Sequence, residues 1–337
     1  NLKTLLVDEK NELGGSTIYQ NREFNKIDNQ SSSNWLKKQI QELKNIKNLE
    51  IKTRTSVAAY HGYNYLLARE NLTDHLEKKD KEGKVRQRLL KIRTKKVILA
   101  TGALERPLIF NNNDRPGIML SSAVKKYANF YGVVSGKKNV FFTNNDSAYE
   151  SALCLHNKGI KVEAIIDIRE NSNSKIVKAV EDASITIHWS HTIVDTKGYK
   201  RLNGVSAMKL SNDGLSVTGD KINISCDCLG VAGGWTPAVH LFTQSGGKLS
   251  FNENDKVFLP NKYPSNQLCI GSCNGDFKIK EIINNLSINL KHFLKIDKTD
   301  FDNISIESEE ENSKRNIWLL PSDKPIGKTK PFVDYQN

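Results

Sequence analysis

Apolar and polar positions alternate along this chain with two periods, and their order outlines the elements. Thr4-Leu5-Leu6-Val7 is a short apolar run that ends in acid at Asp8 and Glu9, with Leu13-Gly14-Gly15 close behind. Such a run, bounded by polar residues, predicts a buried strand. Trp35, Leu36, Ile40, Leu43 and Ile46 recur at helical spacing and predict a helix over residues 35–47. Residues 49–60 read as one strand, with Thr53, Thr55 and Val57 alternating. Residues 63–69 and 89–94 read as further strands of a small sheet around the Lys-rich turn at Glu82-Gly83.

A buried strand, Lys96-Val97-Ile98-Leu99-Ala100, then runs straight into Thr101-Gly102-Ala103. Glycine there permits a tight backbone turn beside a bound group. A helix over residues 121–131, a strand over 139–143, a helix over 148–158 and a strand over 161–167 ending in Asp167 follow in order. Strand, turn, helix, strand and terminal acid together spell a Rossmann unit. Its turn is Thr143-Asn144-Asn145-Asp146-Ser147-Ala148, with Thr143, Asn145 and Ala148 where a phosphate-binding turn carries glycines. Side chains at those positions block close approach of a pyrophosphate, and Asp146 repels it. The fold is therefore expected without a working nucleotide turn. A helix over 176–183, a strand over 185–189 and a hairpin of 205–210 with 216–217 across Asp213-Gly214 complete this part. Residues 228–237 repeat the strand-to-glycine form. Residues 268–276 are a third example, leading into a helix over 278–294.

Composition adds little that is specific. The chain has 337 residues, enough for about two domains. The net charge of +12 is carried by dispersed Lys interleaved with acid, which reads as solvated surface, and no nucleic-acid motif is present. No apolar run is long enough for a membrane span, so a cytoplasmic location is expected. The five cysteines read as free thiols without metal-ligand spacing, and no C-x-x-C occurs, so disulfide-reductase chemistry is not supported. His61, His188, His191 and His240 qualify for acid–base work by residue type alone, and each reads as structural or surface. Arg106 and Arg115 read equally as phosphate or partner contacts and as salt-bridged loop residues. No catalytic residue is assigned.

Residues 297–316 turn polar and acidic (Glu307, Glu309, Glu310, Glu311) and read as a linker, and Pro321, Pro325 and Pro331 suggest an extended arm. With no initiator Met, the chain is read as an internal fragment, its first strand and G-x-G-x-x-G turn expected in about 30 residues before Asn1. The expected fold class is α/β, with two Rossmann-like dinucleotide-binding domains of the glutathione/thioredoxin reductase type, the first one truncated. The expected domains are residues 1–115 with 245–297, residues 116–244, and an arm over 298–337 leading to a further C-terminal region.

Several runs resemble the alpha subunit of heterotetrameric sarcosine oxidase. They are Ala100-Thr101-Gly102-Ala103-Leu104-Glu105-Arg106-Pro107, Asn113-Asp114-Arg115-Pro116-Gly117-Ile118-Met119-Leu120, Asn144-Asn145-Asp146-Ser147-Ala148-Tyr149, Gly233-Gly234-Trp235-Thr236-Pro237 and the end from Lys330 to Asn337. The resemblance implies a complex that oxidises the N-methyl group of sarcosine to glycine, hydrogen peroxide and formaldehyde or 5,10-methylenetetrahydrofolate. It implies beta, gamma and delta subunits as partners, FAD and FMN elsewhere in the complex, tetrahydrofolate at a C-terminal domain outside this chain, and NAD in this subunit. It carries over Asp8 as the ribose acid, Gly14 and Gly15 as the turn beside the nucleotide, Thr101 and Gly102 as the strand exit, and Gly271, Gly275 and Asp276 as the re-entry element. The alternatives are a related opine oxidase, dye-linked proline dehydrogenase or hydrogen cyanide synthase subunit, or a non-catalytic scaffold with a structural nucleotide.

Overall fold

Thr4–Val7 forms β1, and across helix α1 (Ser32–Leu43) it pairs in parallel with β2 (Leu49–Lys52) in a computed structural model that describes residues 2–19, 26–307 and 314–333. Ser31 caps α1, its hydroxyl accepting from the Asn34 amide at 3.3 Å. The one strand expected over 49–60 is two strands. Arg54 takes φ 52°, in the left-handed region, which interrupts extended backbone. Beyond it β3 (Thr55–His61) joins an antiparallel sheet with β4 (Tyr65–Asn71) and β5 (Gln87–Arg93), where Tyr65 lies opposite Arg93. β6 (Val97–Leu99) follows.

The next segment builds the expected Rossmann unit. It contains β7 (Ile118–Leu120), α2 (Ser121–Phe130), β8 (Lys138–Thr143), α3 (Ser147–Asn157), β9 (Lys161–Asp167), α4 (Lys175–Asp182) and β10 (Ile187–Trp189). An antiparallel sheet of β11 (His191–Lys197), β12 (Gly204–Leu210) and β13 (Val217–Ile224) comes next, then β14 (Cys228–Ala232). The expected hairpin was therefore two of three strands. β11 and most of β13 were missed because polar residues predominate in both and leave no apolar run longer than two residues. The main sheet is parallel, in the order β7-β14-β8-β9-β10. Residues 139–143 of β8 are buried at every position, as a central strand covered on both faces must be. The core joins Val140, Phe142, Ile166, Leu229 and Val231 to Ile193, Val205 and Leu320.

The chain then forms a hairpin (Lys248–Asn252 and Val257–Lys262) that the sequence reading did not include, β15 (Gln267–Cys269), a short 3-10 turn (Gly271–Asn274) and α5 (Ile279–Leu294). β15 pairs in parallel with β6. By internal contacts the chain divides into Asn1–Ala103 with Pro237–Ser308, and Leu104–Thr236 with Glu309–Asn337. The stretch after Pro237 falls in the first unit, where the Gln244 side chain accepts from the Tyr60 amide at 3.1 Å. Part of the stretch read as linker is also tied down. Asp302 accepts from Ser287 Oγ at 2.5 Å and pairs with Lys291 at 2.7 Å, and Ile306–Glu307 pairs with Lys26–Ile27. The acidic run Glu309, Glu310 and Glu311 and the tail Asp334–Asn337 lie outside the described residues. Among the described residues no helix is long and apolar enough to cross a membrane.

Two buried polar groups in the second unit have measurable consequences. Asp167, at the end of β9, is fully buried and paired with Arg169 at 2.7 Å, while the Tyr149 hydroxyl donates to it at 2.7 Å. Arg169 also reaches Asp146 at 2.7 Å. Burial pushes the Asp167 carboxyl up, and Arg169 and Tyr149 act against that push. Glu105 accepts from the Ser122 amide at 2.9 Å, at the start of α2, while its other oxygen is buried without a partner. Burial pushes its carboxyl up to about 7, against the pull of Ser122 and Lys125.

Arg169→Ala leaves a buried carboxylate unpaired and is expected to cost ~3–5 kcal/mol in chemical denaturation, whereas Arg169→Met combined with Asp167→Asn recovers most of that loss. For Glu105, the folded-state value lies above the ordinary 4.5, so its contribution is fully present below about 4.5 and is lost as pH rises through about 7. Denaturation at a series of pH values should show stability falling over this window by on the order of 3 kcal/mol, and Glu105→Gln should flatten that slope.

Candidate dinucleotide site

The first unit brings two strand-to-glycine turns together. β6 and β15 run in the same direction with Leu99 opposite Cys269, and the Ile270 amide donates to Leu99 O at 2.9 Å. Thr101-Gly102 and Gly271 therefore leave the same end of one ladder. The first turn is braced twice: Thr101 Oγ1 donates to Ala238 O at 2.6 Å, and the Ala238 amide donates to Gly102 O at 2.9 Å. Gly102 has φ 74°, and a Cβ built on it meets nothing within 4 Å. A side chain there would be strained and would project into open space, where another molecule can approach the backbone.

The second turn ends at Gly275, which packs on the hairpin: an added Cβ would stand 2.8 Å from Leu259 Cδ2. Asp276 follows. Its Oδ1 accepts from Asn285 Nδ2 at 2.7 Å, on the first half of α5. Its Oδ2 is buried and has no partner. Burial pushes this carboxyl up, against the pull of Asn285 and Asn274. An acceptor with one filled and one open oxygen suits a ligand hydroxyl, because an unpaired buried carboxylate oxygen is costly. Asn285 and Ala238 were missed from sequence. Neither belongs to a motif, and both act through distant backbone or side-chain pairing.

Asp8, Gly14 and Gly15 form a second group at the end of the β1–β2 ladder. The Asp8 backbone is held between Lys52 O and the Thr55 amide, each at 2.9 Å, and its Oδ1 accepts from the Lys10 amide at 2.8 Å. Gly14 is required by packing, since at φ 118° an added Cβ would lie 2.5 Å from Leu36 Cδ2 on α1. Gly15 faces open space. Thr101, Gly102, Gly271, Gly275 and Asp276 are thus drawn together by one ladder, and Asp8, Gly14 and Gly15 by another with separate hydrogen bonding.

The remaining candidates make only local contacts among those described. His61 lies 5.9 Å from the Tyr65 ring. His240 is exposed, and its backbone carbonyl accepts from Thr243 Oγ1 at 2.9 Å. His191 Nδ1 meets Trp189 O at 2.6 Å, and burial, then His191, holds His188 below the ordinary range. Arg115 donates to Thr196 Oγ1 at 3.1 Å and to Gly198 O. Arg106 lies 4.1 Å over the Trp318 ring.

The second unit's turn is filled by its own side chains. Thr143 Oγ1 accepts from the Asn145 amide at 3.0 Å, and Asn145 Oδ1 accepts from the Ser147 amide at 2.9 Å. Asp167, at the strand-end position where an acid would meet a ribose, is consumed by Arg169 and Tyr149.

No family model matches the chain. It is 33% identical over 345 residues to sarcosine oxidase subunit alpha of Corynebacterium sp. strain P-1, covering 99% of this chain and 35% of that protein. It is 34% identical over 273 residues to the subunit of the same name from Corynebacterium sp. strain U-96, covering 81% of this chain and 28% of that protein. The chain spans about a third of the length of these curated relatives. Among solved structures, L-proline dehydrogenase from P. horikoshii superposes with a TM-score of 0.60 at 21% identity, over 91% of this chain and 55% of that one. Thioredoxin reductase from T. acidophilum superposes with a TM-score of 0.55 at 15% identity, over 80% of this chain and 82% of that one. The fold is the α/β fold of FAD/NAD(P)-binding Rossmann-type oxidoreductases. By sequence, over nearly its whole length, the chain is a relative of the sarcosine oxidase alpha subunits and corresponds to a segment of about a third of them.

Proposed function

We propose that this chain is the dinucleotide-binding part of the alpha subunit of a sarcosine oxidase-type complex. The observation that carries the reading is the relationship over 99% of the chain to a sarcosine oxidase subunit alpha. The complex oxidatively demethylates sarcosine to glycine and hydrogen peroxide, and releases the methyl carbon as formaldehyde or 5,10-methylenetetrahydrofolate. The amine is oxidised at a flavin outside this chain, by beta-subunit residues. Gamma and delta subunits complete a cytoplasmic heterotetramer, with FAD, FMN and a tetrahydrofolate-binding domain elsewhere in it.

In this chain the nucleotide is NAD, and the first unit holds it. The unpaired, buried Asp276 oxygen supports this, because a ligand hydroxyl would supply the partner it lacks. Gly102 and Gly271 leave backbone approachable at the turn exits, and Asp8 with Gly14 and Gly15 follows β1, in a separate ladder of the same unit, as the ribose acid and its turn. When bound, NAD supplies either hydride-accepting capacity or a structural anchor, and the chain's part is to bind and orient it.

The test uses the full-length complex. Anaerobic mixing with sarcosine is expected to bleach the flavin, whereas proline and octopine leave it oxidised. Bleaching only by proline or an opine would move the chain to those related enzymes. In the same complex, Asp276→Ala is expected to weaken NAD binding by about 10- to 100-fold in equilibrium dialysis, the loss of a hydrogen bond to a charged group. Unchanged affinity would remove Asp276 from the site.

A further inference from the structure

The C-terminal arm lies across the strand ends of the second unit. Past β8, Asn144 grips it from both sides: Asn144 O accepts from the Arg315 amide at 3.4 Å, and Asn144 Nδ2 donates to Arg315 O at 3.1 Å. Past β9, Ile168 O accepts from Arg315 Nη1 at 2.7 Å. Past β14, Gly233 O accepts from Trp318 Nε1 at 2.5 Å. Arg315 Nη2 donates to Ser211 O and Asn212 O, at 2.9 and 2.7 Å. The arm then forms a parallel bridge between Leu319 and Ile109, with the Ile109 amide donating to Trp318 O at 2.7 Å and the Leu320 amide to Ile109 O at 2.9 Å. Leu320 is buried in the core with Val140, Phe142 and Ile166, and Ile317 and Trp318 pack against it.

In open parallel sheets, ligands bind beyond the carboxyl ends of the strands where the strand order reverses. Here the chain passes from β8 to β9 and β10 on one side and returns to β14 on the other, so the reversal lies between β8 and β14. Asn144 and Gly233 mark its two sides, and the arm bonds to both. We propose that Arg315–Trp318 is the resident occupant of the second unit's nucleotide crevice, so that this unit binds its own chain in place of a dinucleotide. The guanidinium takes the carbonyls at the strand ends, and the indole supplies a flat aromatic body covered by Arg106.

The sequence run that carried the family resemblance extends the grip. Asn113 Oδ1 accepts from the Phe332 amide at 2.6 Å, and Asn113 Nδ2 donates to Phe332 O at 2.9 Å. Asn111 Oδ1 accepts from the Lys330 amide at 2.8 Å, and the Asn112 amide donates to Lys330 O at 3.0 Å. Asp195 collects Asn111, Asn112 and Lys324 at 3.0, 2.8 and 2.5 Å. This proposal depends on the fold of the second unit and not on the amine that the complex oxidises.

The experiment is hydrogen exchange on the full-length chain, with and without NADH at a concentration that saturates its binding. In the unsubstituted protein, peptides covering residues 314–320 should exchange slowly, at the same rate with and without NADH. In Arg315→Ala with Trp318→Ala, those peptides should exchange at least about tenfold faster while β8 and β9 stay protected. Two results overturn the proposal: exchange of 314–320 at the rate of an unstructured peptide, or acceleration by NADH with a second equivalent bound per chain. If the double variant also exposes β8 and β9, the NADH comparison in the unsubstituted protein still decides.

Discussion

The parallel pairing of β6 with β15 is the constraint on which the candidate site depends. Each strand contributes three residues, and the Leu104–Thr236 part of the second unit lies between them in sequence. Without that ladder, Thr101-Gly102 and Gly271 would be two unrelated turns. Loop-closure cost rises only slowly with loop length, so an inserted unit of this size can be tolerated between paired strands. The apolar strand residues Val97, Leu99 and Cys269 sit in one buried cluster with Tyr60 and Phe242, which offsets that cost locally. The bonds from Thr101 to Ala238 and from Asn285 to Asp276 brace the two turns that the ladder brings together.

The two units use similar strand–turn–helix grammar for opposite ends. In the first, the turn positions are open: Gly102 and Gly15 meet nothing where a side chain would stand, and Asp276 keeps one buried oxygen without a partner. In the second, the corresponding groups are satisfied from within. Asp167 is neutralised by Arg169, Asn145 and Thr143 take the turn amides, and Arg315 takes the strand-end carbonyls. A buried polar group is tolerated when it has partners, whichever molecule supplies them. The physical difference between a binding site and a filled one is whether those partners come from the same chain.

Much of this was legible in the sequence. Apolar runs ending in glycine or acid placed β1, β6, β8, β9, β14 and β15 within a residue or two; in β8, β9 and β14 the run is long because a parallel strand buried on both faces needs a continuous apolar stretch. The replacement of glycines by Thr143, Asn145 and Ala148 was equally visible, since it is a matter of residue type at a fixed spacing. The polar strands β11 and β13 were not legible. Nor was the break at Arg54, whose left-handed backbone no neighbouring residue announces.

The sequence by itself determined the alternation of elements, the relationship to sarcosine oxidase alpha subunits and the residue types at the strand-to-glycine turns and at the turn after β8, all of which are local properties of short windows. Tertiary structure alone decided which turns meet, that Asn285 leaves Asp276 with one open oxygen, and that an arm with the composition of a linker lies in the crevice of the second unit. Those outcomes depend on pairings between residues far apart in the chain. No periodicity or propensity encodes them, because the energy of each contact exists only once the backbone has brought its two halves together.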